Sequence, residues 1–133
     1  MTRNGLATYQ QMDVLSMSPA RRVVFLYTHL VANLRQARQA FEDQDIARRS
    51  ERLAKAREIV EELLLALDRE AGGPIADQLA SLYAFFIREI LQVDIKRDRA
   101  ALDPLIRMAT SLLEAWRGAA EQVEAGEPQT VNV

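Results

Sequence analysis

The side chains that could do chemistry are few, and they are badly spaced for it. The chain holds a single histidine, His29, and no cysteine among its 133 residues. A carboxylate-bridged dinuclear metal centre in a helical bundle needs Glu-x-x-His motifs pointing inward, and the residue three before His29 is Leu26. No metal is expected. Disulfides and thiolate chemistry go with the missing cysteines. A serine nucleophile would have to be drawn from Ser16, Ser18, Ser50, Ser81 or Ser111, none set in a local signature and all dependent on His29 as base. The double glycine of EAGGPIA lacks the Lys-Ser/Thr that follows in a phosphate-cradling loop, so it reads as a turn. With no acid, base, metal or cofactor constellation, the sequence points away from an enzyme and implies no cofactor.

A second candidate chemistry is electrostatic. The run ARRSERLAKAR carries Arg48, Arg49, Arg52, Lys55 and Arg57, which on one helix face could displace counterions from nucleic-acid phosphate. No aromatic is interleaved for stacking on bases, and Glu51 before Lys55 and Glu61 after Arg57 make ordinary helical charge pairs. A solvated face is the better reading, and no nucleic acid is expected. The formal net charge of -2 gives neither nucleic acid nor an anionic membrane a global hold. No segment approaches the ~20 apolar residues of a membrane span, and MTRNGLATYQQMDVLS lacks the apolar run of a secretory signal. No membrane insertion is expected, and the absence of cysteine fits a cytoplasmic protein.

Binding is what the apolar residues suggest, and helices must position them. Ser18-Pro19 starts a helix running to about Glu42, with Val23, Tyr27, Leu30, Leu34, Ala37 and Phe41 at alternating spacings of four and three. Asp45 caps a second helix, with Leu53, Ala56, Val60, Leu63 and Leu67 on one side, which Gly72-Gly73 is expected to end near Arg69. Pro74 opens a third, striped by Ile75, Leu79, Leu82, Phe86 and Ile90 and fading near IKRD. A fourth carries Leu102, Leu105, Ala109, Leu112, Trp116 and Val123, and begins either near Arg99 or at Pro104 under an Asp103 cap. Short connections make successive helices antiparallel neighbours, so the expected fold is all-α, an up-down-up-down four-helix bundle. Residues 18–125 form it, between an N-terminal segment at 1–17 and a polar tail at 126–133.

The third helix is wider in its apolar arc than a bundle requires. Tyr83, Phe85, Phe86, Ile87, Ile90 and Leu91 cover more than half its circumference, where a stripe of ~100° would serve the core. Val24, Leu26 and Val31 on the first helix, Ile59, Leu64 and Leu65 on the second, and Ile106 and Leu113 on the fourth add to the surplus. Two readings stand: an off-centre bundle that buries wide faces, or a groove for a partner's apolar helix. The second places Leu82 in the core and Tyr83 on the groove.

Several blocks resemble one family, the FliS flagellin-specific secretion chaperones. A tyrosine segment before a Ser-Pro helix start stands here as TYQQMDVLSMSP, and a Leu-Tyr in the first helix as FLYTHL. The longest block is LDREAGGPIADQLASLYAFFIREILQVDIKRD, and a late tryptophan sits in LLEAWRG. The resemblance implies a cytoplasmic chaperone that binds the C-terminal segment of flagellin, prevents premature polymerisation and delivers it to the flagellar type III export apparatus. It implies a flagellin surface of Leu6, Tyr9, Val14, Tyr27, Leu79, Tyr83, Phe86, Ile87, Ile90 and Leu91. Leu6 and Tyr9 are also expected to contact the export gate, and residues 1–17 to lie over the groove when flagellin is absent. The alternative is a helical regulatory module that binds an anti-sigma factor or another flagellar regulator.

Overall fold

The computed structural model describes residues 17–126. Four helices follow one another: α1 (Pro19–Glu42), α2 (Ile46–Leu65), α3 (Arg69–Lys96) and α4 (Leu102–Glu124). A single turn of 3-10 helix at Arg99–Ala101 leads into α4. No strand occurs among the described residues.

Caps fix most of the boundaries. The Ser18 side chain accepts from the Arg21 amide at 3.3 Å and Pro19 takes the first helical position, where its missing N–H costs nothing. Asp45 starts α2 by accepting from the Arg48 amide at 3.0 Å, and Asp68 starts α3 by accepting from Ala71 at 3.0 Å. The double glycine therefore does not end α2, which stops at Leu65 with Ala66 as its cap. Instead Gly73 sits inside α3 with φ 55° and ψ -134°, and the helix kinks there before continuing from Pro74. Proline disfavours the helical conformation of the residue before it, and only glycine adopts this positive-φ alternative without strain. Pro104 behaves differently. It lies within the first turn of α4, where amides have no intrahelical acceptor, so the helix passes through it unbroken.

Ion pairs establish the antiparallel order. Arg21 at the start of α1 grips Glu124 at the end of α4, and its Nη2 donates to Glu124 Oε2 at 2.7 Å. Arg38 near the end of α1 meets Asp103 at the start of α4 at 3.2 Å, and Arg99 pairs with Glu42. On the other side, Arg49 of α2 donates to Asp94 of α3 at 3.1 Å, and Ser50 joins the same carboxylate at 3.0 Å. The core runs along α1 through Val24, Tyr27, Leu30, Val31, Leu34 and Ala37, with Leu53, Val60 and Leu63 from α2, Phe86, Ile90 and Val93 from α3, and Leu105, Ile106 and Ala109 from α4. Most of the apparent surplus is thus spent internally. Val24, Val31, Ile59, Ile106 and Leu113 are buried, because α1 lies between α2 and α4 and buries two faces rather than one.

Four of the five cations in the basic run on α2, all but Arg48, are paired within the fold. Arg49 is buried, lies 5.0 Å from the Phe41 ring centre and holds Asp94. Arg57 bonds Glu61 at 2.9 Å, whereas Lys55 pairs with Glu58 rather than with Glu51. Among the described residues no group of His, Asp and Glu could hold a metal ion, and no helix is long and apolar enough to cross a membrane.

Candidate functional site

The four helices do not close into a ring. α1 packs along α2 and α4, α2 packs along α3, and α3 and α4 touch only sparsely. No ion pair or side-chain hydrogen bond joins α3 to α4 among the described residues, although every packed pair has at least one. The two helices are held by different neighbours, and the seam between them is apolar on both banks. Leu82 faces Met108 and Leu112 there across a cavity of about 350 Å³, with Arg107 and Ser111 on its rim. Ile75 and Leu79 precede Leu82 at spacings of four and three, which puts them on the same bank. Ile75 is 58% exposed, and Leu79, Leu82, Met108 and Leu112 are half-buried.

A second opening lies at the end of the bundle where α1 begins and α4 ends. Its volume is about 340 Å³, and Val23, Leu26, Leu63, Leu67, Tyr83 and Trp116 line it. At its floor the Tyr27 and Tyr83 hydroxyls hydrogen-bond at 2.7 Å, across the bundle from α1 to α3. Trp116 stacks on Tyr27 with ring centres 6.4 Å apart. Burial holds both phenols above their ordinary ionisation range, because a phenolate there would lose its hydration. Trp116 stands one helical turn beyond Leu112, so the two openings neighbour each other along α4.

The residues expected to form the binding surface are distributed differently from that expectation. Tyr27, Tyr83, Phe86 and Ile90 are core residues, each at most 3% exposed, with Tyr83 also bordering the end cavity. Tyr83 and Leu82 exchange roles: the tyrosine is inside and the leucine is on the seam. Leu79 does lie on the α4 side of α3. Leu91, 42% exposed, lies on the opposite flank beside Leu53, Ala54 and Arg57 of α2, and Ile87 is half-buried. Leu6, Tyr9 and Val14 lie outside the described residues.

Sequence reasoning missed the contribution of α4, namely Met108 and Leu112, as seam rather than core. It also rotated the buried stripe of α3. The line that faces inward is Ala76, Ala80, Tyr83, Phe86, Ile90 and Val93. Two alanines at its start were the available signal, since small residues let a helix approach its neighbour and release the larger Ile75, Leu79 and Leu82 to the side.

The described residues thus define the class of antiparallel helical bundles, here with an apolar seam between α3 and α4. The family model described as Flagellar protein FliS matches residues 2–123, and the chain belongs to that family. It is 33% identical over 121 residues to the flagellar secretion chaperone FliS of Salmonella typhimurium, a match covering 87% of this chain and 90% of that one. The flagellar secretion chaperone FliS of Bacillus subtilis is 30% identical over 117 residues, covering 88% of this chain and 86% of the relative. A crystal structure of a bacterial flagellar chaperone superposes with a TM-score of 0.74 at 23% identity, over 92% of this chain and 99% of that one. The last comparison supports the bundle fold.

Proposed function

We propose that this protein is a cytoplasmic export chaperone that takes the C-terminal segment of newly made flagellin into the α3–α4 seam. Holding that segment keeps flagellin from polymerising prematurely and presents it to the flagellar type III export apparatus. The observation that carries the reading is the seam itself: two consecutive helices whose apolar flanks face each other with only sparse contact. Ile75, Leu79 and Leu82 form one bank and Met108 and Leu112 the other. Tyr27, Tyr83, Phe86 and Ile90 serve the site as its rigid floor, and Ile87 and Leu91 offer a second line of contact on the far flank of α3. Leu6, Tyr9 and Val14 add to the surface from the N-terminal segment, which covers the seam until flagellin arrives, and Leu6 and Tyr9 also engage the export gate. Membership of a secretion-chaperone family supports this reading.

Magnitudes set a condition on it. Full burial of a large apolar side chain is worth ~1.5–3 kcal/mol, and residues already half-buried have roughly half of that left to gain. Five such residues supply on the order of 4–8 kcal/mol, which the ~2–5 kcal/mol cost of ordering a flexible partner nearly offsets. Tight binding therefore requires contacts beyond the seam. The direct test mixes the full chain with flagellin having or lacking its last ~40 residues, on the premise that a disordered terminus folds on binding. Complex formation with the intact protein alone is expected, and equal binding to both would rule the reading out. In cells, Tyr9→Ala should leave helical circular dichroism and expression unchanged while reducing flagellin secretion; normal secretion would remove Tyr9 from the export step.

A further inference from the structure

The polar cluster at the floor of the end cavity holds more hydrogens than it can place. Tyr27 and Tyr83 share one hydrogen bond, which consumes one of their two phenolic hydrogens. Two phenolic hydrogens are thus set against one bond, and the second meets no acceptor among the described residues. Whichever way the tyrosine pair is oriented, the surplus is a donor. Tyr27 is fully buried and Tyr83 is 3% exposed, so open solvent does not absorb it. Tyr83 and Trp116 both line the cavity, and the space above them far exceeds the ~30 Å³ share of one water.

The walls say what kind of acceptor fits. Val23, Leu26, Leu63 and Leu67 are aliphatic, and the charged lining residues, Arg22 and Asp68, have opposite signs. That combination favours a neutral acceptor attached to an apolar group, rather than an ion. Within a helix, main-chain carbonyls are already spent on amides four residues ahead, except in the last turn. A free carbonyl comes from a segment that enters extended, or from a helix end.

We propose that the end cavity takes an aliphatic side chain of the bound flagellin segment at a point where its backbone is not helical, with the neighbouring main-chain carbonyl accepting from the Tyr83 hydroxyl. The inference rests on the flagellin reading and supplies the contact beyond the seam that the energetics demand. Flagellin then lies along α4 from the seam toward the bundle end, helical where it meets Leu82 and Leu112 and unwound where it meets Tyr83.

Trp116 is the only tryptophan, so its emission reports on this cavity directly. The full chain is titrated with a peptide of the last ~40 residues of flagellin, the span taken as folding on binding, while heat and Trp116 emission are followed together. The emission change is expected to saturate with the calorimetric Kd. Tyr83→Phe should weaken binding about tenfold, the worth of one hydrogen bond. Binding by calorimetry with unchanged emission, or with Tyr83→Phe behaving as wild type, overturns the pocket and leaves the flagellin reading intact. No heat and no complex overturns both. Emission that shifts on Leu6→Ala and Tyr9→Ala in the full chain, and then ignores the peptide, assigns the cavity to the chain's own N-terminal segment and overturns the proposal. Emission that changes with protein concentration alone assigns it to a second copy, with the same consequence.

Discussion

Tyr27 and Tyr83 are acids that the fold holds in their neutral form. Desolvation raises both above the ordinary phenol value of 10.0. In the unfolded chain they ionise near that ordinary value, so above it the folded state binds more protons than the unfolded state. Stability is therefore fully present below pH ~10 and lost as pH rises through 10 toward the folded values, by up to ~1.4 kcal/mol per pH unit for each tyrosine. Thermal melts between neutral pH and ~11 should show a decline that is shallower in the Tyr27→Phe/Tyr83→Phe double variant. Equal slopes would mean that the pair does not titrate on unfolding. The same burial ranks two substitutions. Tyr83→Asp removes a core aromatic and buries a carboxylate without a partner, costing ~3–5 kcal/mol or more, whereas Leu82→Asp on the seam costs roughly 1–2 kcal/mol. Urea unfolding measures both, and the opposite order would exchange core and seam.

At the scale of elements, glycine chemistry makes the sharpest test. Gly73 and Gly118 both have open space where a Cβ would sit, so a methyl group meets no neighbour at either. Only backbone conformation separates them. Gly73 has φ +55° and forms the kink ahead of Pro74, so Gly73→Ala should cost about 1–3 kcal/mol. Gly118 is exposed inside α4, and Gly118→Ala should stabilise by about 0.5–1 kcal/mol. Denaturation midpoints of the two variants should move in opposite directions. Element structure was largely legible in the sequence because it is set locally: the Ser18-Pro19 start, the Asp45 cap and the four apolar stripes depend on residues a few positions apart. The end of α2 was not, because Asp68 and the double glycine are each able to punctuate a helix, and the capping aspartate came first. The site was less legible still. Periodicity says which face of α3 is apolar, but the rotation that brings Ala76 and Ala80 inward is decided by neighbours distant in sequence. A stripe read through Leu79 and Leu82 puts Tyr83 on the groove, and the partner that holds its hydroxyl inside, Tyr27, is 56 residues away.

Over its described residues the molecule is a bundle with three packed sides and one open one, and that asymmetry is what a chaperone of this kind would use. α1 is clasped to α4 at both ends by Arg21–Glu124 and Arg38–Asp103, and α2 to α3 by Arg49–Asp94. A partner entering between α3 and α4 can spread the seam without breaking any of these pairs. The absence of native cysteine makes the idea directly testable, since introduced thiols have no competitors. Leu82→Cys/Leu112→Cys places one thiol on each bank, and a short bismaleimide then locks the banks together. Arg21→Cys/Glu124→Cys, bridged with the same reagent, locks a side that is already packed and controls for rigidity in general. The seam-locked protein should lose flagellin binding by at least tenfold relative to its own uncrosslinked form. The clasp-locked protein should bind as before, with both retaining helical circular dichroism. If the two crosslinks act alike, the open side is only a packing defect and flagellin is held elsewhere on the surface.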